Sequence, residues 1–545
     1  MCEDVIEEVL EKSGRWGKFQ LRYYACLGFV VIFSTFPMSY IFTARDIKYR
    51  CYIPECESYS NTQYNPKWLM DFIPYVEGSP SSCHRYATAN GSCTVLPEKN
   101  MTIKCDTFVY QRRETTIVHD FNITCGENLW KLTIIGTINV VGELVCLGYS
   151  GFISDKYGRR EMMVVSVLLS TLTGILRSFS LNYLMYAFME FLDSAVGGGM
   201  YGAAFILAIE MVGSKERNAG NTIISCIYAL GQAILGVTAW LSPTWRTMLR
   251  ILYAPGIISL VFVWTIPESI RWLLSVNRVE KARNVILQIA RTNKKQIPSE
   301  AIDKLVSIRK EQDKETKTES FLETVKSKVL LLRTIHCSFT WICCTFVYYG
   351  LTIHSVSISE NIYLSFIFSV AVEIPGYVTY FYVNEKMGRR LMMFFTLILA
   401  GISCVAVGFI PEDYYWFKLS VFLIGKCCST IAYTVLYVYT TEMFPTNSRH
   451  STFSFCSMFG RFGSMTAPQV PLLARVSKML PLIMFGMIAC SSGAMALLFP
   501  ETLHIKLPDT IEEAVNIGKN KFVRGRDENT EADTPLRRTD RSTEI

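Results

Sequence analysis

Charge is scarce in this sequence, and so is histidine. Of 545 residues only 19 % are charged and six are histidine, whereas a soluble chain carries about a quarter charged residues. No HExxH helix and no GxxxxGK[ST] loop occurs in it. Those absences remove the metalloprotease and phosphate-loop chemistries, and no enzyme activity, metal site or cofactor is expected. Also missing is a basic cluster interleaved with aromatics. The net charge of +7 is therefore read as loops facing anionic lipid, with no nucleic-acid partner. The opening stretch, MCEDVIEEVLEKSGRWGKFQ, has no basic n-region. A cleavable signal peptide is not expected, and the first apolar run stays as a transmembrane helix.

What the chain has is apolar sequence. Half of its residues are hydrophobic and the mean hydropathy is +0.25. The runs are long enough to cross about 30 Å of hydrocarbon, which takes about 20 helical residues. Candidate spans centre near 21–43, 129–152, 161–180, 183–212, 220–242, 247–266, 331–352, 361–383, 391–410, 414–440, 450–473 and 479–499. Two long polar insertions interrupt them, 44–127 after the first span and a Lys/Arg-rich 267–330 after the sixth. The short loops holding Arg159, Arg160, Arg217, Arg389, Arg390 and Arg449 fall on one side. The positive-inside rule makes that side cytoplasmic, with both termini there and 44–127 outside.

Six of the 18 cysteines lie in that outer insertion: Cys51, Cys56, Cys83, Cys93, Cys105 and Cys125. Glycosylation sequons begin there at Asn90, Asn100 and Asn122. An even cysteine set beside sequons marks an oxidising, extracellular module with three disulfides, in any of fifteen pairings. The remaining cysteines are read as small packing residues.

Residues 151–160 read GFISDKYGRR and residues 381–390 read FYVNEKMGRR, placing Asp155 and Glu385 230 positions apart. The fourth span ends in EMVGSKER, with Glu210 and Arg217; the tenth ends in EMFPTNSR, with Glu442 and Arg449, offset by 232. PESIRWLL from Pro267 and PETLHIKL from Pro500 repeat at 233. Coincidence is a poor explanation for three unrelated features at nearly one spacing. The expected fold is an all-α membrane protein, twelve transmembrane helices in two six-helix pseudo-repeats. Its parts are a cytoplasmic 1–20, a bundle at 21–266, a linker at 267–330, a second bundle at 331–500 and a cytoplasmic tail at 501–545, polar and partly disordered beyond about 515. Carboxylates and guanidiniums repeated at helix ends can pair and close one face of the bundle. Asp155, Arg159, Arg160, Glu210, Arg217, Glu385, Arg389, Arg390, Glu442 and Arg449 are the gate candidates.

These motifs, with the cysteine-rich insertion, resemble the major facilitator superfamily. Within it they resemble the organic cation, anion and zwitterion transporters of the plasma membrane. The likeness runs from GRWGKFQ to PETLHIKLPDT, and FTARDIKYRCYIPECE resembles insect organic cation transporter-like proteins. The resemblance implies alternating access, with a central site exposed first to one side and then to the other. Two positions depart from the pattern: Glu190 stands where the family usually has Arg, and Glu385 where Asp is usual.

Charges inside spans default to function, and Glu373, Lys426 and Arg461 stand out. The resemblance puts Arg461 where cation transporters carry Asp and where anion and carnitine-type members carry Arg. VEIPGY, the Gly-Lys of span ten, VYVYTTEMFPT and GRFGS look most like the carnitine and zwitterion subclass. Tyr377 stands where anion transporters add a Lys. The implied pocket holds a substrate carboxylate at Arg461 and a cationic head at Glu373, with Lys426 paired to an acid when empty. The alternative for Glu373 and Lys426 is a buried structural pair. Trp341, Tyr348, Tyr349 and Tyr228 match cavity-lining positions of the family, where a ring face attracts a desolvated amine by about 2 kcal/mol or more. Glu143, inside span two, fits either function or structural pairing, and the glycines at 197–199 fit close helix packing.

The expected function is a plasma-membrane carrier of small organic ions, cations or carnitine-like zwitterions, working in a lipid bilayer. The alternatives are an organic anion transporter of the same fold and a ligand sensor that moves nothing. The terminal Ser-Thr-Glu-Ile fits a PDZ groove by strand addition.

Overall fold

The computed structural model describes residues 16–295 and 321–517, apart from 59–61, 77–78, 88–92, 94–96, 112–113, 214–215, 359–360, 412, 446–447, 478, 504, 506 and 509. Among these residues the helical rods α1 (Lys18–Thr43), α2 (Gly126–Tyr157), α3 (Arg159–Arg177), α4 (Tyr183–Glu210), α5 (Arg217–Leu241) and α6 (Trp245–Thr265) form one set. A second set follows: α7 (Lys328–Ser357), α8 (Ile362–Met387), α9 (Arg389–Phe409), α10 (Tyr415–Met443), α11 (Arg449–Thr466) and α12 (Leu480–Ala496). Nine of the twelve are long and apolar enough to cross a membrane by length and composition alone. The other three fall short for local reasons. α3 carries Arg159, Arg160 and Glu161 in its first turn, α11 is polar, and α12 has only 17 residues.

The second set repeats the first. Gly158, at φ 117°, separates α2 from α3, and Gly388, at φ 83°, separates α8 from α9. Only glycine adopts such angles without strain. In both turns a Cβ would also run into a carboxylate, Glu268 or Glu501. Helix order and boundaries then match element by element, so the internal repeat read from the motifs is present in the backbone. The halves meet where α2 packs on α11 and α5 on α8.

Between α1 and α2 the chain forms a small disulfide-rich cap. Strand Tyr49–Cys51 pairs antiparallel with Phe108–Tyr110, and His84–Ala87 with Glu98–Lys104. Of the fifteen pairings the fold selects Cys51–Cys105, Cys56–Cys93 and Cys83–Cys125. They enclose a minimal core of Ile53, Leu69, Phe72 and Ile73, beside a buried Arg50–Glu57 ion pair at 2.7 Å. Asn100 and Asn122 are exposed on the cap; Asn90 lies outside the described residues.

The 267–330 linker, expected to be a soluble insertion, is helical in its first part. Ile270–Ser275 and Val279–Asn293 dock against the first half. Trp272 Nε1 donates to the Asp155 carbonyl at 2.7 Å, and Asn293 Oδ1 accepts the Phe19 N–H at 2.9 Å. The apolar stripe Ala282, Val285, Ile286 and Ile289 explains why a Lys/Arg-rich segment folds onto the bundle. In the tail, Ile511–Asn516 is a short helix held by Arg333, which donates to the Ala514 carbonyl at 2.6 Å. The terminal Ser-Thr-Glu-Ile and the rest of 518–545 lie outside the described residues.

Glu190 finds its cation on the neighbouring helix. Arg177 of α3 bonds Glu190 of α4 and lies 3.6 Å from Asp193, all three fully buried. Asn139, Ser39, Ser170 and Tyr253 supply further hydrogen bonds to the three. A charge buried in this way persists only with partners of this kind.

Candidate functional site

The ring of arginines at the Gly-Arg-Arg face is organised within each half. Arg159 pairs with Asp155 at 3.0 Å and approaches Glu210 at 3.9 Å. Arg389 pairs with Glu442 at 2.9 Å, and Thr502 donates to the other oxygen of that carboxylate at 2.6 Å. Arg160 bonds its neighbour Glu161 and the Val263 carbonyl, and Arg449 donates to the Phe444 carbonyl. Glu385 makes no ion pair among the described residues. In this conformation Asp155, Arg159, Arg160, Glu210, Arg389 and Glu442 therefore brace their own half.

Two members of this ring escaped the sequence reading, Glu268 and Glu501. Each caps the helix that follows the glycine turn. Glu268 accepts the Arg160 N–H at 3.0 Å; Glu501 accepts the Arg389 and Arg390 N–H groups at 3.0 and 3.2 Å. A carboxylate there meets the orphan donors and the positive end of the helix dipole. Burial pushes the Glu268 carboxyl up from its ordinary range, opposed by the Ser269 and Arg160 N–H groups. The signal was available: the Pro-Glu pair repeats at 233. Glu268→Ala or Glu501→Ala should each cost about 1–2 kcal/mol. A lower Tm of the detergent-solubilised protein would show it; an unchanged Tm in both would mean the caps are idle.

Midway along the helices lies a charged, ring-lined layer. α8 breaks at Val372, between helices Ile362–Ala371 and Glu373–Met387, where Pro375 cannot donate to the preceding turn. Glu373 thereby starts a helix segment inside the bundle. It pairs with Lys426 of α10 at 2.9 Å, both fully buried. Tyr348 and Tyr377 donate to its second oxygen at 2.9 and 3.3 Å. Lys426 also donates to Thr352 at 2.7 Å and sits 3.6 Å from the centroid of the Tyr348 ring. Every polar valence is directed inward, and neither charge reaches open space in this state. In this ligand-free state the Glu373 carboxylate, the expected contact for a cationic head, is taken up by Lys426, Tyr348 and Tyr377.

Arg461 of α11 differs. It bonds Glu143 of α2 at 2.7 Å, with side chains 19 % and 28 % exposed although both sit near mid-helix. Tyr349, Tyr433 and Tyr437 lie within electrostatic reach of Arg461, and Tyr228 and Tyr349 within reach of Glu143. These four tyrosines are only partly buried. Trp341, expected to line the cavity, is 1 % exposed and stands behind them. It packs edge-on against Tyr433 and Tyr437 and donates to Thr440 at 3.0 Å. Tyr348 likewise stacks on Tyr433 from the protein side.

The halves are zipped on one side of this layer. Toward the cysteine-rich face, Thr133 and Thr137 of α2 bond Gln469 at 3.0 and 2.8 Å, and Thr137 donates to the Met465 carbonyl at 3.0 Å. Tyr363 of α8 donates to Glu114 of the cap at 2.7 Å, and its ring stacks on Phe42 of α1. Burial pushes the Asp46 carboxyl up, with Arg475 from the other half opposing it. Toward the Gly-Arg-Arg face α2 is open. Gly148 and Gly151 continue the stripe of Thr137, and a Cβ on either would meet nothing within 4 Å. These contacts tie α2 to the other half on the cap side of the layer, whereas Gly148 and Gly151 face no neighbour.

Several known proteins share this plan. A family model described as Major Facilitator Superfamily matches residues 114–468. The chain is 29 % identical over 550 residues to solute carrier family 22 member 3 of Rattus norvegicus, covering 97 % of this chain and 99 % of that one. It is 30 % identical over 525 residues to the organic cation transporter protein of Drosophila melanogaster, covering 94 % and 95 %. Solute carrier family 22 member 6-B of Xenopus laevis is 29 % identical, covering 98 % of each chain. Among solved structures, the inward-open xylose transporter XylE from E. coli superposes with a TM-score of 0.59 at 16 % identity, covering 73 % of this chain and 92 % of that one.

Proposed function

From the premise that the chain belongs to the Major Facilitator Superfamily, we propose that it carries small organic ions across the plasma membrane by alternating access. Carnitine-like zwitterions are the favoured class. The cap faces outward and both termini face the cytoplasm, as the arginine-rich loops require. The conformation described is then inward-facing. The relatives include an organic cation transporter of Drosophila melanogaster, which supports organic ions as cargo. The observation that carries the zwitterion reading is Arg461, a reachable cation in a tyrosine-walled chamber between the halves.

In this mechanism Arg461 receives the substrate carboxylate, and the tyrosine faces receive the amine. Glu373 and Lys426 brace Tyr348 behind that wall. Rocking of one half on the other unzips the α2–α11 and α5–α8 seams beside the cap and draws the arginine-ringed ends together. A plain organic-anion carrier is the second reading, favoured by the same Arg461.

A competitive uptake panel in cells tests both, with carnitine, tetraethylammonium and benzoate as probes. Carnitine should accumulate best. Arg461→Asp should reduce carnitine uptake at least about tenfold and turn preference toward the cation, since a hydrogen bond to a charged group is worth about 1.5–3 kcal/mol. Benzoate uptake exceeding that of carnitine would favour the anion reading. Unchanged selectivity in Arg461→Asp would remove Arg461 from the site.

A further inference from the structure

Two acid–base pairs occupy the middle of the molecule, and they are not equivalent. Glu373–Lys426 is sealed, with all partners inside the second half. Glu143–Arg461 is reachable, and among ion pairs between described residues it alone joins a membrane helix of one half to one of the other. Arg461 also sits one helical turn before Met465, whose carbonyl takes the Thr137 bond of the zipped seam.

We infer that Glu143 is the residue that recognises the substrate's cationic head, and that in the empty carrier Glu143 and Arg461 each stand in for the charge the substrate will bring. This rests on the transport reading of the same chamber and deepens it. The Glu143 carboxylate occupies the position against Arg461 that a substrate carboxylate would take. The Arg461 guanidinium occupies the position against Glu143 that an ammonium would take. A zwitterion with its charges several bonds apart inserts between them and exchanges one ion pair for two. No charge is left alone. A simple cation satisfies Glu143 and strands Arg461; a simple anion does the reverse. A stranded, desolvated charge is the costly state, so the pair selects for ligands carrying both signs.

The surroundings suit that assignment. Tyr40, Tyr228 and Tyr349 lie within electrostatic reach of Glu143, a set of ring faces fit for a quaternary or protonated amine. Parting the pair also releases a tie between the halves, which links occupancy to movement.

The test uses the full-length chain, in cells for uptake and purified in detergent for binding. Glu143→Gln should lower carnitine uptake about tenfold to hundredfold, the value of a charged hydrogen bond. It should leave benzoate uptake equal or higher, because Arg461 is then free for a lone carboxylate. Glu143→Asp should restore most of the carnitine uptake, and Glu143→Arg combined with Arg461→Glu should restore more than either alone. Equal loss of all three probes in Glu143→Gln, at equal surface amount, would make Glu143 a structural partner and overturn the inference. Binding separates this from the transport reading. Carnitine should raise the Tm of the wild type but not of Glu143→Gln, whether or not the wild type transports it. A wild type that binds carnitine without uptake overturns transport alone. A Tm shift that survives in Glu143→Gln overturns the role of Glu143, and no shift in the wild type overturns both.

Discussion

Lys426→Met alone should leave almost no folded protein at the cell surface, and Glu373→Gln alone should do nearly the same. Each strands the opposite member of a pair that is fully buried and 2.9 Å apart. Removing one partner of such a pair costs about 3–5 kcal/mol, because the remaining charge has neither water nor counterion. That is a large part of the roughly 5–15 kcal/mol that holds a typical domain together. Removing both charges is a different matter. The Tyr348 and Tyr377 hydroxyls remain to bond a neutral amide at position 373, and methionine fills much of the lysine's volume. The double variant Glu373→Gln with Lys426→Met should therefore return to the surface. It should keep the charge preference of the wild type, since Arg461 is untouched. Surface biotinylation and gel filtration report the first result, and the three-probe uptake panel reports the second. Singles as well tolerated as the double would refute coupling between the two charges. A folded double variant with altered selectivity would return Glu373 to the substrate site.

Gly136→Trp should abolish uptake while leaving the protein folded and able to bind cargo from outside. Gly136 lies on α2 in the zipped seam, where a Cβ would come within 2.7 Å of Pro468 of the other half and 2.8 Å of Tyr40. Any larger side chain holds the two halves apart there. Forcing extra volume into a packed contact costs about 1–3 kcal/mol, and conformers of a carrier differ by only a few kcal/mol. The penalty falls on the closed-cap state alone, because the rocked state withdraws α2 from Pro468. The population then shifts toward the outward-open form. A cysteine at Gln469, protected beside Thr133 and Thr137 in the present state, should become reactive to an impermeant maleimide in the Gly136→Trp background. Gly148→Trp supplies the mirror control, because its side chain enters open space here and blocks the reverse closure. It should leave the Gln469 cysteine protected. Identical labelling in both backgrounds would rule out the rocking of these seams.

The fold was largely legible because its causes are local. Long apolar runs predict helices wherever a bilayer must be crossed, and Gly158 and Gly388 with their arginines repeat because the same turn is built twice. Glu268 and Glu501 were legible in principle, yet their chemistry depends on helix ends folding back onto α3 and α9 across more than a hundred residues. The site was half legible. Arg461, Glu373 and Lys426 announce themselves as charges in apolar sequence, but which acid meets which base is decided by packing. Lys426 pairs with Glu373, while Arg461 pairs with Glu143, 318 positions away. Trp341 illustrates the other limit. Its depth of burial depends on Tyr433 and Tyr437 from α10, which the pattern of α7 alone does not contain. The disulfide pairing was undetermined for a similar reason: Cys51 and Cys105 become neighbours only once strand Tyr49–Cys51 lies along Phe108–Tyr110.

The α2–α11 part of the seam beside the cap is held by neutral hydroxyl, amide and carbonyl groups, Thr133 and Thr137 against Gln469 and Met465. Such bonds are worth about 1 kcal/mol apiece and re-form readily with water. A fastening of this strength behaves like a zip and not like a weld: ordinary thermal agitation parts it, solvent briefly replaces each tooth, and it closes again from either direction.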